Sequence, residues 1–396
     1  MKPTRRSSRR AVALGTALLL AAACQQQSDE PTGPSLSAAA NAAPTAAAAL
    51  AFRQVSAGPD YTCALTTGDL AYCWGLGGHI TPTAVSGGLR FLEVSSGGSS
   101  IGSLNGNGPM ACGVTTAQRV FCWGGDLNPA EIPGSRKFKT VSAGYEHVCA
   151  VNPYDAAFCW GTNNRYGQLG TGGGFSTTPA RVAGGHEWRR VFAGATQTCG
   201  ATLDNKGYCW GWNGFGQGGS GLQVLINPKP TLIAGGLSWR QVRPGGGIDN
   251  GLNSIEIDDG VACGVTQDDK AYCWGLGALG SSTTTQSRTP VAVAGTRRWS
   301  TVQPGIAHTC GLTLAGVTFC WGSNERGQLG RTGGSSQTPV RVSGGLVFEG
   351  ISVAAAGNHT CGVTAAHQVW CWGSNASGQL GDGTHTNSAV PVAVKQ

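Results

Sequence analysis

The chain has 396 residues, 65 of them glycine, and only 12% carry charge. Glycine at more than twice its usual share of about 7%, with charge at about half the usual quarter, excludes a helical bundle and points to many short strands joined by turns. The formal charge of +7 misleads: Lys2, Arg5, Arg6, Arg9 and Arg10 all precede the first acid, and the body beyond them is nearly neutral, with no electrostatic footprint for nucleic acid.

Residues 1–23 have the layout of an export signal, a basic start followed by the apolar run Ala11 to Ala23 and small residues before a cysteine. The run is too short for a membrane span. Leu20-Ala21-Ala22-Ala23-Cys24 resembles the bacterial lipoprotein box, with Ala21 where leucine is usual. The resemblance implies cleavage before Cys24 and lipid attachment to its thiol; the alternative is a soluble secreted protein cleaved nearby. Ser8-Arg9-Arg10 is a weak twin-arginine hint. Residues 24–50, rich in Ala, Pro and Gln and broken by Pro44, are expected as a flexible tether. The expected location is the cell envelope, on the outer membrane where the cell has one.

Repeats begin at residue 51. Cys24 apart, the cysteines form seven pairs, each ten residues apart: Cys63/Cys73, Cys112/Cys122, Cys149/Cys159, Cys199/Cys209, Cys263/Cys273, Cys310/Cys320 and Cys361/Cys371. Each second cysteine is followed by Trp-Gly. A unit opens on an aromatic and a valine, as in Trp299-Ser300-Thr301-Val302, and passes through Ala-Gly or Pro-Gly. Its first cysteine lies in a run such as His308-Thr309-Cys310-Gly311-Leu312-Thr313, its second before Trp-Gly. It closes on a strand such as Pro339-Val340-Arg341-Val342. Three to four short strands per unit make one propeller blade, so the fold class is all-β, a seven-bladed β-propeller. The blades are expected at about 51–89, 90–136, 137–186, 187–237, 238–297, 298–346 and 347–396.

Pairing Cys63 with Cys73 centres a hairpin turn on Gly68, with an odd loop of three or five residues. Directly opposite residues have Cα atoms about 4.5–5.5 Å apart, close enough for a bridge. A cross-strand disulfide in each blade is therefore expected. Zinc is disfavoured by the ten-residue spacing; buried free thiols are the other alternative, less suited to an oxidising compartment. The tryptophans point to the opposite strand face from the cysteines and are expected to fill the gaps between blades.

Ala-Gly-x-x-His-x-Cys and Trp-Gly-x-Asn-x-x-Gly-Gln-Leu-Gly, best formed from Glu146 to Gly170, His308 to Gly330 and His359 to Gly381, resemble the regulator-of-chromosome-condensation repeat. The resemblance covers about residues 51–396. It implies a closed seven-bladed ring with the first and last strands brought together, and a structural role for His147, His308 and His359, whose place Tyr61 and Gln197 take elsewhere. In its exported setting the chain is similar to β-lactamase-inhibitor protein II propellers, which implies a protein-binding disc.

Two units break the pattern. From the strand valine to the first cysteine is eight residues in blades 1, 3, 4 and 6, but eighteen from Val94 to Cys112 and twenty-one from Val242 to Cys263. Both insertions enter at the same point of the unit, and so emerge on one face. The first carries Ile101 and Leu104; the second carries Ile248, Asp249, Leu252, Ile255, Glu256, Ile257, Asp258 and Asp259. Apolar residues on polar loops suit a binding surface. The expected function is a surface-tethered, non-catalytic protein-binding propeller whose partner docks on this face. The alternatives are a glycan or cell-wall binder using Trp212 and Phe215, and an enzyme with a site at the central channel. No cofactor, catalytic residue or metal is expected, although the acids at 249–259 leave calcium open. The chain is expected as a monomer, with a protein partner, a membrane contact through its lipid, and no nucleic acid.

Overall fold

The structure, a computed structural model, describes residues 49–75, 77–98, 111–246 and 260–396. Within these residues lie seven four-stranded antiparallel sheets, each built from four strands consecutive in sequence. Blade 1 runs through Phe52–Ala57, Tyr61–Thr66, Ala71–Gly75 and His79–Ala84. Blade 7 runs through Phe348–Val353, His359–Thr364, Val369–Gly373 and Ser388–Ala393. In blade 2 the outer strand shrinks to Ala130–Glu131.

Burial follows strand position. The second strand of blade 1 is buried at every residue, on both sheet faces, whereas the outer strand of blade 7 is buried at none. Among the described residues the apolar side chains therefore gather in seven clusters, one at each interface between neighbouring blades, including the interface of blade 7 with blade 1. The cysteines of one blade pack against the tryptophan of the next, as Cys310 and Cys320 do against Trp372. Trp74, Trp210, Trp274, Trp321 and Trp372 are at most 1% exposed, so these residues do fill the gaps between blades.

The cysteine ruler works through a local hairpin. Each first cysteine stands directly opposite the second in the strand register of its own blade. The bridges are Cys63–Cys73, Cys112–Cys122, Cys149–Cys159, Cys199–Cys209, Cys263–Cys273, Cys310–Cys320 and Cys361–Cys371, the pairing expected from the spacing. Free thiols are thereby set aside at these fourteen positions. Cys159, Cys209, Cys273 and Cys371 are fully buried, whereas Cys122 is half-buried, in the blade whose outer strand is only two residues long.

One dimension departs from expectation. The Cα atoms of the bridged pairs are 4.0 or 4.1 Å apart, closer than the sequence spacing suggested. The Thr66 N–H bonds the Leu70 carbonyl, and alternation from that pair places Cys63 and Cys73 at a non-hydrogen-bonded position, where antiparallel strands approach most closely. The loop is the three-residue kind, with a left-handed residue six places after the first cysteine: Asp69, Gln118, Asp155, Asn205, Asp269 and His367, and Gly316 in blade 6.

The first and last strands come together, as the resemblance implies. Leu50, placed at the end of the tether, packs on the cluster between blades 7 and 1, and its carbonyl accepts a hydrogen bond from the Gln396 side chain. The first and last strands share that cluster but belong to different sheets. Each unit starts on an inner strand and ends on an outer one, so whole blades close the ring, by side-chain packing and by the Phe52 N–H donating to the His367 carbonyl at 2.8 Å. The buried histidines contribute. His147, His308 and His359 place Nε2 2.7, 2.9 and 2.8 Å from the hydroxyls of Thr198, Thr360 and Thr62 in the next blade. Thr62 and Thr198 give their own protons to the Gln379 and Gln168 carbonyls, so His359 and His147 donate from Nε2 and leave Nδ1 bare. Burial pushes all three imidazoles down to about 3.

Candidate functional site

The first strands of the seven blades stand side by side around a central channel. In each, the residue after the strand's valine or isoleucine faces the channel: Ser56, Ser95, Ser142, Phe192, Arg243, Gln303 and Ser352 around the ring. The serines stitch the inner strands together. Ser352 Oγ accepts the Ala57 N–H at 2.9 Å, Ser56 Oγ the Ser96 N–H at 2.8 Å, Ser95 Oγ the Ala143 N–H at 3.0 Å and Ser142 Oγ the Ala193 N–H at 3.0 Å. Gln303 repeats this with a longer side chain, donating to the Ile351 carbonyl at 2.8 Å. The ring of short polar side chains satisfies edge groups that the inner strands otherwise leave open.

Blades 4 and 5 depart from the serine pattern. The guanidinium of Arg243 stacks 3.8 Å from the Phe192 ring centre, and that of Arg190 lies 5.1 Å from the same ring. Arg190 forms an ion pair with Glu93 of blade 2, across the wall of a cavity of about 230 Å³. Burial pushes Arg190 down to about 10. Burial, and then the charge of Arg190, push Arg243 down to about 9. Among the described residues the channel wall carries one carboxylate, already paired, and no histidine or cysteine.

The ten residues expected at the partner surface, Ile101, Leu104, Ile248, Asp249, Leu252, Ile255, Glu256, Ile257, Asp258 and Asp259, lie outside the described residues, as does Cys24. Their attachment points are described. One insertion joins Phe91–Ser96 to Ala111–Thr115, the other Trp239–Pro244 to Val261–Thr266. Each is the connection from first to second strand of its blade, so both attach on one face, at the mouth of the channel. Connections from third to outer strand open on that face too, because alternate strands of an antiparallel blade run the same way. There blade 4 exposes Leu222, Val224, Leu225 and Ile226, with Leu225 65% accessible. Sequence reasoning missed this apolar run, although four large apolar residues within a turn-rich stretch are legible in Leu222-Gln223-Val224-Leu225-Ile226. It also missed Arg243, whose signal is a single repeat position reading Ser, Ser, Ser, Phe, Arg, Gln, Ser, and Arg190, two places before that position in blade 4.

The aromatics expected to meet a glycan do not stand free. Trp212 and Phe215 are half-buried, and Trp212 packs edge-on against Tyr166 of blade 3 with ring centres 5.1 Å apart. The three repeat histidines are each committed to a separate interblade contact. Among the described residues no group of three or more His, Cys, Asp or Glu is placed to hold a metal ion.

Comparison with known proteins agrees with this architecture. Residues 155–201, 315–363 and 366–396 match the Regulator of chromosome condensation (RCC1) repeat, and 52–79 and 351–379 match a second model of that repeat. Human Protein RCC2 is 42% identical over 86 residues, 22% of this chain and 16% of that protein. The Protein RCC2 homolog of Danio rerio is 36% identical over 94 residues, 24% of this chain and 19% of that protein. The matches thus span less than a fifth of these relatives. Human WBSCR16 superposes with a TM-score of 0.65 at 19% identity, covering 80% of this chain and 85% of that one. Yeast RCC1 (Prp20), seen bound to Kap60, gives 0.62 at 16% identity, covering 77% and 78%. The matched segments are RCC1-type repeats, and the described residues form a seven-bladed β-propeller.

Proposed function

We propose that this chain is a non-catalytic binding propeller, tethered at a cell surface through a lipid on Cys24, and that it recognises a protein on the face bearing the insertions of blades 2 and 5. The observation that carries the reading is positional. The two blades that break the repeat both break it at the first-to-second strand connection, which in every blade opens on one face around the channel mouth. The exposed apolar run of blade 4 belongs to the same face, and exposed apolar side chains on loops favour protein contact. Propellers of this type bind protein partners; yeast RCC1 (Prp20) holds Kap60.

The test replaces residues 99–110 and 247–259 with short links like Gly305-Ile306-Ala307 of blade 6, and separately introduces Leu222→Asp with Leu225→Asp. Crosslinking in envelope extract followed by mass spectrometry is expected to identify one protein with the full chain and to lose it in both variants, at unchanged thermal midpoint. Capture that survives both changes counts against the face. Hits on a glycan array would favour a carbohydrate ligand instead. Cys24→Ala is expected to abolish incorporation of labelled fatty acid.

A further inference from the structure

We propose that the central channel is a binding site for a small oxyanion, a carboxylate or phosphate group, held between Arg243 and Arg190 on one side and the hydroxyls of Ser352, Ser56, Ser95 and Ser142 on the other. The site is independent of the insertion loops.

The chemistry of the wall is one-sided. Each of the four serine oxygens already accepts a backbone N–H from the neighbouring blade. A hydroxyl whose oxygen is so used still has its proton to give, and among the described residues these protons meet no protein acceptor. All four line the same cavity as Arg190 and Arg243. Arg190 spends part of its fork on Glu93, yet its Nε is buried with no partner. Arg243 has no carboxylate among the described residues; it has the Phe192 face and a long contact of 3.4 Å from its Nε to Gln241 Oε1. Two cations therefore share one aromatic ring, and among the described residues only Arg190 has a carboxylate partner, in a cavity that also offers four serine hydroxyl protons. Such a wall suits an anion, since a half-buried cation gains from a partner and guanidinium forks match planar oxyanions. The cavity of about 230 Å³ admits a small group, and its lining residues Arg53, Gln54, Glu93, Arg190 and Gly350 precede the channel-facing ring on their strands, so it lies toward the mouth opposite the insertion face.

The anion has two sources, free in solution or presented by a partner as an acidic side chain. Calorimetric titration of the full chain at fixed ionic strength distinguishes them, using inorganic phosphate in one arm and N-acetylglutamate amide in the other. Saturable single-site binding of phosphate supports a free ion; binding of the glutamate derivative alone supports a presented carboxylate. Either is expected to weaken at least tenfold in Arg243→Gln and to be unchanged in Arg297→Gln, which removes a cation stacked on Phe319 outside the channel. In chloride alone, Arg243→Gln is expected to match or exceed the native thermal midpoint, because it relieves repulsion between two half-buried guanidiniums. A structural prop would behave differently: the variant would melt earlier in every buffer and keep its phosphate response. Ser95→Ala with Ser142→Ala tests the opposite wall, with about threefold weaker binding expected in a folded protein. Failure of both probes to saturate, or equal binding in Arg243→Gln and native chain, overturns the proposal.

Discussion

His359 Nε2 lies 2.8 Å from Thr62 Oγ1, and these two residues, 297 apart in sequence, join the last blade to the first. The contact repeats the one between His147 and Thr198 at an internal interface, with the same threonine-to-glutamine relay. The ring is thus closed by an ordinary blade interface, and no strand is exchanged. Closure should cost and contribute what any other interface does. Thr62→Val leaves a buried imidazole N–H and the Gln379 carbonyl short of a partner, for which about 1–3 kcal/mol is expected. Thr198→Val should destabilise by a similar amount. Denaturant titration of both variants checks this; a much larger loss at Thr62 would mark the closure as special.

Acid should weaken the ring through the three histidines. Their folded values are pushed down to about 3 by burial, against an unfolded value near 6.5. Between those limits the unfolded chain binds more protons, so stability rises with pH. The contribution is fully present above about pH 6.5 and is lost as pH falls toward 3, at up to about 1.4 kcal/mol per pH unit for each histidine. Glutamine already occupies this repeat position in blade 4, as buried Gln197. A triple variant, His147→Gln, His308→Gln and His359→Gln, should flatten the acid limb in chemical denaturation from pH 4 to 7. An unchanged slope would assign acid sensitivity to other groups.

The seven bridges predict a mass and a stability. The oxidised chain should weigh about 14 mass units less than the reduced one, two hydrogens for each bridge. Each closes a small loop, and replacing one pair, Cys310→Ala with Cys320→Ala, should cost about 2–3 kcal/mol. Part of that loss is packing, because both sulfurs lie against Trp372. Intact mass with and without reductant, then denaturant titration, tests both numbers.

Tryptophan should matter unequally around the ring. Trp210 Nε1 donates to the Gln168 carbonyl at 2.9 Å and Trp372 Nε1 to the Gln328 carbonyl at 3.1 Å. Trp123 meets only the Cys73 sulfur, at 3.3 Å, because blade 1 lacks the Gly-Gln-Leu-Gly loop that supplies the carbonyl. Trp210→Phe should therefore exceed Trp123→Phe in cost by about 0.5–1.5 kcal/mol. Equal losses in thermal or chemical unfolding would leave only packing as the role of the indole.

The sequence by itself determined the blades. Each cysteine pair sits across one hairpin, and a hairpin is a local object whose register follows from its turn, so a spacing of ten residues carries the pairing with it. The ring contacts were also written there in part: every repeat histidine is followed, in the next unit and cyclically, by a threonine before the cysteine, at Thr198, Thr360 and Thr62. What one unit does to another across a gap needs three dimensions. That Ser56, Ser142, Phe192, Arg190 and Arg243 meet around one channel, and that Glu93 of blade 2 answers Arg190 of blade 4, depends on the angle through which seven blades close. Trp212 read as free in the sequence and is half-buried because the neighbouring blade covers it. Local pairing is fixed over a few residues, whereas burial and charge partnership are set by the neighbours that tertiary closure brings.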